Sequence, residues 1–116
     1  MELTNAQIDQ RLGELPHEVW ELENETVKLS AEVDLLKTHY ERAYNEVYLA
    51  QKASHDHMTV KELEARAFND TYKMRLEIIE TEAAMKATKI KAEEAARKHS
   101  SLQSLIKLRV AEIKTI

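Results

Sequence analysis

Cysteine is absent from this 116-residue chain, and glycine and proline occur once each. Without cysteine there is no disulfide framework and no thiolate for catalysis or metal binding. Turns usually recruit glycine and proline, so their scarcity argues against a domain rich in strands and loops. One glycine cannot build a phosphate-cradling loop or a dinucleotide fingerprint. Aromatic residues make up only 5% of the chain. No run of eighteen apolar residues occurs, so no membrane span is expected. The N-terminus, MELTNAQIDQ, lacks the basic start and apolar core of a signal peptide. These absences lead to the expectation of a soluble, cytoplasmic, all-α protein.

What is present is charge, at 33%, and regularly spaced hydrophobic residues, at 43%. Such a composition belongs to long helices and coiled coils rather than to disordered chains. Leu15, Leu22, Leu29, Leu36, Ala43 and Ala50 recur every seven residues. Val19, Thr26, Val33, Tyr40, Val47 and Ser54 repeat in the same way four residues later, and Ile8 and Leu12 extend the register backwards. The alternating four-three spacing is that of a coiled-coil seam. Thr4 and Gln7 have capping-box spacing for a helix start. Gly13 and Pro16 predict a kink or break, because proline lacks a helical donor and crowds the preceding turn. The expected organisation is a short helix over 1–15 and a first long helix over 16–53.

A second tract follows the stretch SHDHMTVKE at residues 54–62. Thr59 and Glu62 form a second capping-box pattern, with Met58 and Leu63 placed as a hydrophobic staple. Beyond them Ile78, Met85, Ala92, His99, Ile106 and Ile113 recur by sevens. Met74, Thr81, Thr88, Ala95, Leu102, Arg109 and Ile116 fill the alternate positions. A second long helix is therefore expected over 59–116, joined to the first by a turn at 54–58. Short connections make neighbouring helices antiparallel, which predicts a long helical hairpin forming one domain. Residue i then faces roughly residue 113 − i. His55, Asp56 and His57 read as a polar turn, since no Cys or HExxH pattern supplies further ligands for a metal. His99, on the seam, could titrate near neutral pH.

Charge is unevenly distributed. Residues 1–34 carry nine acids and two bases, whereas residues 83–116 carry three acids and eight bases. In the hairpin the two stretches face each other, and opposite charges flanking a seam favour that pairing. The seam itself is rich in alanine and threonine, which bury little apolar surface each. Trp20, Ile79, Ile90, Leu105, Leu108 and Val110 lie off it and predict a homo-oligomer interface.

Enzymatic chemistry has no foothold. Glu14 and His17 have Glu-x-x-His spacing, but a di-iron bundle needs two such motifs with further glutamates. Neither a cofactor nor a small-molecule substrate is expected, and the protein reads as a non-enzyme. Tyr40, Tyr44 and Tyr48 form a stripe on the first helix, and Phe68 and Tyr72 a pair on the second, near the turn. Aromatics among basic groups suit single-stranded nucleic acid, which stacks its bases and needs its phosphates neutralised. Lys73, Arg75, Lys86, Lys89 and Lys91 are the candidate phosphate contacts, and Tyr72 or Tyr48 the stacking residue.

The segment TVKELEARAFNDTYKMRLEIIETEAAMKATKIKAEEAARKHSSLQSLIKLRVAEI resembles phage recombination mediators of the UvsY type. It spans about half the chain as a long helix with scattered basic residues and a closing LQSLIKLR. The resemblance implies a small helical protein that forms a ring-like oligomer, binds single-stranded DNA and helps load a recombinase in place of a single-strand-binding protein. Two alternatives fit the same residues: a structural or assembly scaffold, and an inhibitor of a host nucleic-acid enzyme whose acidic first tract mimics DNA. The hairpin has a direct test. Spin labels at Leu36 and Glu77 should lie within about 20 Å, because paired helices pack 8–10 Å apart. A separation near 60 Å would instead indicate a continuous rod.

Overall fold

The protein was analysed as a computed structural model that describes residues 3–55 and 57–114. It is all-helical: α1 covers Asn5–Ser54, α2 Val60–Asp70 and α3 Tyr72–Lys114, with no strand among the described residues. The chain divides into two compact units. A terminal unit combines Met1–Val27 with Lys86–Ile116, and a central unit comprises Lys28–Met85.

The first two helices begin where the sequence supplies a cap. The Thr4 amide donates to Gln7 Oε1 at 2.8 Å, and the Gln7 amide donates to Thr4 Oγ1 at 3.1 Å. This reciprocal pair satisfies two of the donors that a helix start leaves without partners. Thr59 caps α2 with an extended backbone (φ −71°, ψ 159°), accepting from the Glu62 amide at 3.2 Å. Leu63 is buried and Met58 half-buried beside that cap, as a staple requires. Between α1 and α2, the His55 amide donates to the Gln51 carbonyl, and the Met58 amide to the His55 carbonyl. Asp56, part of the expected turn, lies outside the described residues.

Two helix boundaries differ from the sequence reading. Of the kink or break expected at residues 13–16, the break does not occur: α1 passes through Gly13 and Pro16 as one element, so 1–15 is not a separate helix. Proline costs a helix one hydrogen bond and some local strain, which neighbouring packing can outweigh. Here Ile8 and Leu15 are both fully buried. Arg11 also spans the proline, pairing with Glu14 at 3.1 Å and Glu18 at 3.0 Å. Conversely, the second tract is not one helix. It is interrupted at Thr71, whose backbone (φ −108°, ψ 9°) leaves the helical region. The buried Thr71 hydroxyl donates to the Ala67 carbonyl at 2.7 Å, a back-bond that bends helices. The Thr71 carbonyl accepts from the Met74 and Arg75 amides, so α3 restarts at once.

Within the central unit the two chain segments run antiparallel. Gln51 Oε1 accepts from Arg66 at 3.4 Å near the turn, and Lys37 pairs with Glu82 at 2.9 Å further away. Its core is Val33, Leu63, Ala67 and Ile78. The terminal unit is antiparallel too: Arg109 bonds Asn5 Oδ1 and donates to the Leu3 carbonyl at 3.0 Å. Its buried residues are Ile8, Leu15, Ala92 and Ala95. These are seam positions, and the observed opposition stays close to the expected register. The seam drifts near the turn, where Ala50 and Ser54 are exposed while Tyr44, Tyr48 and Gln51 are half-buried. A straight helix of 3.6 residues per turn slips in this direction against a 3.5-residue repeat. Ile113 is exposed, and Ile116 lies outside the described residues.

Two substitutions test this account by chemical denaturation. A Cβ at Gly13 would meet nothing within 4 Å, and no described glycine has positive φ. Gly13→Ala should therefore stabilise by about 0.4–1 kcal/mol through the unfolded chain's lost freedom. Ala67 is 0% exposed. Ala67→Leu should overpack the seam and destabilise by about 1–3 kcal/mol. A neutral result at Ala67 would mean that the two helices do not approach closely there.

Candidate interaction surfaces

In the central unit, helical spacing gathers the aromatic residues near the turn. Tyr40 and Tyr44 are tilted neighbours with ring centroids 6.1 Å apart, and Phe68 and Tyr72 lie 6.4 Å apart. Tyr40, Tyr44 and Phe68 line one shallow depression with Glu41 and Asn45. The two aromatic groups thus meet, as expected from the fold-back. The Arg75 guanidinium sits 4.3 Å over the Phe68 ring, a cation–π contact that gives this arginine an intramolecular partner. Lys73 is exposed, Tyr72 is half exposed, and Tyr48 is half-buried.

A second feature of the central unit escaped the sequence reading, which named Ile79 from it as an oligomer contact and Tyr72 only as a stacking residue. Tyr72, Leu76, Ile79 and Ala83 follow one another at spacings of four, three and four. They face away from the seam, and Tyr72, Leu76 and Ile79 are 50%, 40% and 56% exposed. The pattern is masked by the stronger inner repeat, Met74–Ile78–Thr81–Met85, interleaved with it in the same segment.

In the terminal unit, Lys86, Lys89 and Lys91 are exposed on α3. Lys89 shares a depression with Glu23, Thr26, Val27 and Glu93, so acidic groups stand close to it. Of the expected oligomer contacts in this unit, Trp20, Ile90, Leu108 and Val110 are exposed. Trp20 stacks on His17, with centroids 6.1 Å apart and planes within 16°. Leu105 differs: it is half-buried within its own unit rather than off the seam. The spacing of Leu102, Leu105, Ile106 and Arg109 explains this, since all four fall on a widened inner face.

The ion pairs along α1 in this unit are local. Arg11 joins Glu14 and Glu18, and His17 Nε2 lies 2.9 Å from Glu21. The Arg11 guanidinium is held above its ordinary value, first by its hydrogen bond to Glu18 and then by Glu14. In the central unit the Lys37 ammonium is raised likewise by Glu82. His99 is half-buried on the seam. Among the described residues no three His, Cys, Asp or Glu side chains cluster as a metal site, and Asp56 is not among them. No described helix is long and apolar enough to cross a membrane.

With this geometry established, the chain was compared with known proteins. No family model, curated protein or solved structure matches it.

Tyr44 supplies a pH test of the aromatic cluster. Its phenol is pushed above the ordinary 10.0, chiefly by desolvation and secondarily by Glu64 and its tyrosine neighbours. A folded value above the unfolded one contributes stability that is complete below the unfolded value. That contribution is lost as pH rises through the folded one. Stability should therefore decline above about pH 10. Tyr44→Phe should decline less over the same range, followed by helical circular dichroism in denaturant. Identical declines would show that the ring is as solvated as in the unfolded chain.

Proposed function

We propose that the protein is a non-enzymatic, self-associating helical protein that binds single-stranded DNA as a recombination accessory. The observation that carries this reading is the exposed lysine group Lys86, Lys89 and Lys91 on α3. Exposed ammonium groups on a rigid helix contact phosphates without base preference, and each contact releases counterions. One such site is weak. Copies assembled together multiply it through effective concentration, which makes self-association part of the mechanism. The resemblance of residues 59–113 to phage recombination mediators supports the same assignment, with a recombinase or single-strand-binding protein as the further partner.

The contact set is narrower than the sequence expectation. Tyr48 is half-buried and so poorly placed to stack on a strand, and Arg75 lies over Phe68. The reading therefore rests on the terminal-unit lysines. Glu23 and Glu93 near Lys89 weaken the local potential, which keeps a single copy's affinity low.

An assembly scaffold without nucleic acid is the second reading, favoured by the apolar stripe on the outer face of α3 in the central unit. Binding to a labelled oligothymidylate decides between them. Three phosphate contacts per copy predict an affinity loss of about tenfold or more between 50 and 200 mM salt. Lys86→Glu with Lys89→Glu and Lys91→Glu should reduce low-salt binding at least as much while leaving helicity intact. No wild-type binding at low salt would remove the DNA reading and leave the scaffold.

A further inference from the structure

We infer that the outer stripe of α3 in the central unit is a two-fold interface with a second copy of this chain, packed antiparallel. The inference rests on the self-association part of the reading above and specifies its geometry. Tyr72, Leu76, Ile79 and Ala83 have the spacing of a coiled-coil seam, yet their own chain leaves them exposed. Lys73 and Glu80 flank the stripe on one side, and Arg75 and Glu82 on the other.

Both flanks run from basic to acidic along the chain. A sequence with that polarity is complementary to its own reverse. In an antiparallel pair centred between Glu77 and Ile78, Lys73 of one copy meets Glu80 of the other, and Arg75 meets Glu82. Two-fold symmetry repeats each pair, giving four opposite-charge contacts. The core layers fit as well. Tyr72 lies against Ala83, large against small, and Leu76 against Ile79, the alternation that fills a seam without gaps. A parallel pair would set Tyr72 on Tyr72 and Ala83 on Ala83. Of the same charges it would match only Arg75 with Glu80. The antiparallel arrangement wins on both counts.

Two of the flanking residues already have partners that the interface can keep. Glu82 accepts from Lys37 at 2.9 Å, and an ionised carboxylate has about four acceptor sites, so it can accept from Arg75 of the other copy as well. Arg75 meets Phe68 through the face of its guanidinium, a contact that does not consume the in-plane donors. Lys73 and Glu80 are exposed. The interface is isologous, so it closes at a dimer and leaves the terminal-unit surfaces for other contacts.

Charge reversal tests the pairing on the full chain, without nucleic acid, by sedimentation over a concentration range. Lys73→Glu and Glu80→Lys should each weaken the dimer about tenfold, the equivalent of about 1.4 kcal/mol. Mixing the two variants, or combining both changes in one chain, should restore association to near the wild-type value. Because the chain has no native cysteine, Leu76→Cys and Ile79→Cys report orientation. On mild oxidation a mixture of the two should form the heterodisulfide faster than either variant links to itself. A monomeric wild type, a failure of the charge swap to rescue, or faster self-linking by either cysteine variant would overturn the proposal. A monomeric wild type would also remove self-association from the function proposed above, whereas the other two results overturn this interface alone and leave DNA binding to its own salt-dependence measurement.

Discussion

The close approach of two helices along a seam of small side chains is the constraint on which the rest depends. Ala67 in the central unit and Ala92 and Ala95 in the terminal unit are buried. Each alanine contributes little apolar area, so the burial per turn is modest. A layer of two helices also covers only one face of each. The opposite faces keep Trp20, Val27, Leu35 and Leu49 on α1, and Tyr72, Leu76, Ile79, Ile90 and Leu108 on α3. Small domains are marginal without further burial. The self-association proposed above would cover part of this exposed apolar surface, and both functional readings draw on it.

Hydrogen bonds from threonine side chains set the local geometry around this seam. Thr4 and Thr59 start helices by accepting amide donors, whereas Thr71 interrupts one by donating to a carbonyl. The same side chain does opposite things because its place differs: before a helix it meets free amides, and within or after one it meets carbonyls. At Thr71 the hydroxyl has no solvent to bond, so the nearby carbonyl becomes its partner and the helix bends. Thr26, Thr38 and Thr81 make the same bond inside α1 and α3 without ending either helix. The difference at Thr71 lies in its setting: it is fully buried and directly follows Asn69 and Asp70, both poor helix formers.

Much of the fold was legible because its causes are local or periodic. The heptad positions from Leu15 to Val47 and from Met74 to Arg109 anticipated the inner face, and the two capping patterns anticipated where α1 and α2 start. Pro16 misled because its cost is fixed while the packing of Ile8 and Leu15 around it depends on residues far along the chain. Thr71 was missed because its spacing fits the seam, and only burial turns its hydroxyl inwards. The interaction surfaces were less visible. Leu105 looked exposed because a strict heptad is narrower than the face that a long helix buries. The outer stripe of α3 is interleaved with an inner repeat in the same segment and emerges only once the inner set is known to be covered.

The pairing also orders the contacts by distance along the chain. Gln51 and Arg66 are fifteen residues apart, while Asn5 and Arg109 are separated by 104. Closing a long loop costs more entropy than closing a short one, although the cost grows only logarithmically. Contacts near the turn therefore form with least penalty, and each one shortens the loop that the next must close. Assembly proceeds like a zipper from the middle of the chain towards its ends, with the central unit formed from one continuous segment before the terminal unit joins two. The same order read backwards governs opening. On that route the Arg109 contacts are the last made and the first released, so amides near Asn5 and Arg109 should exchange sooner than those near Gln51 and Arg66.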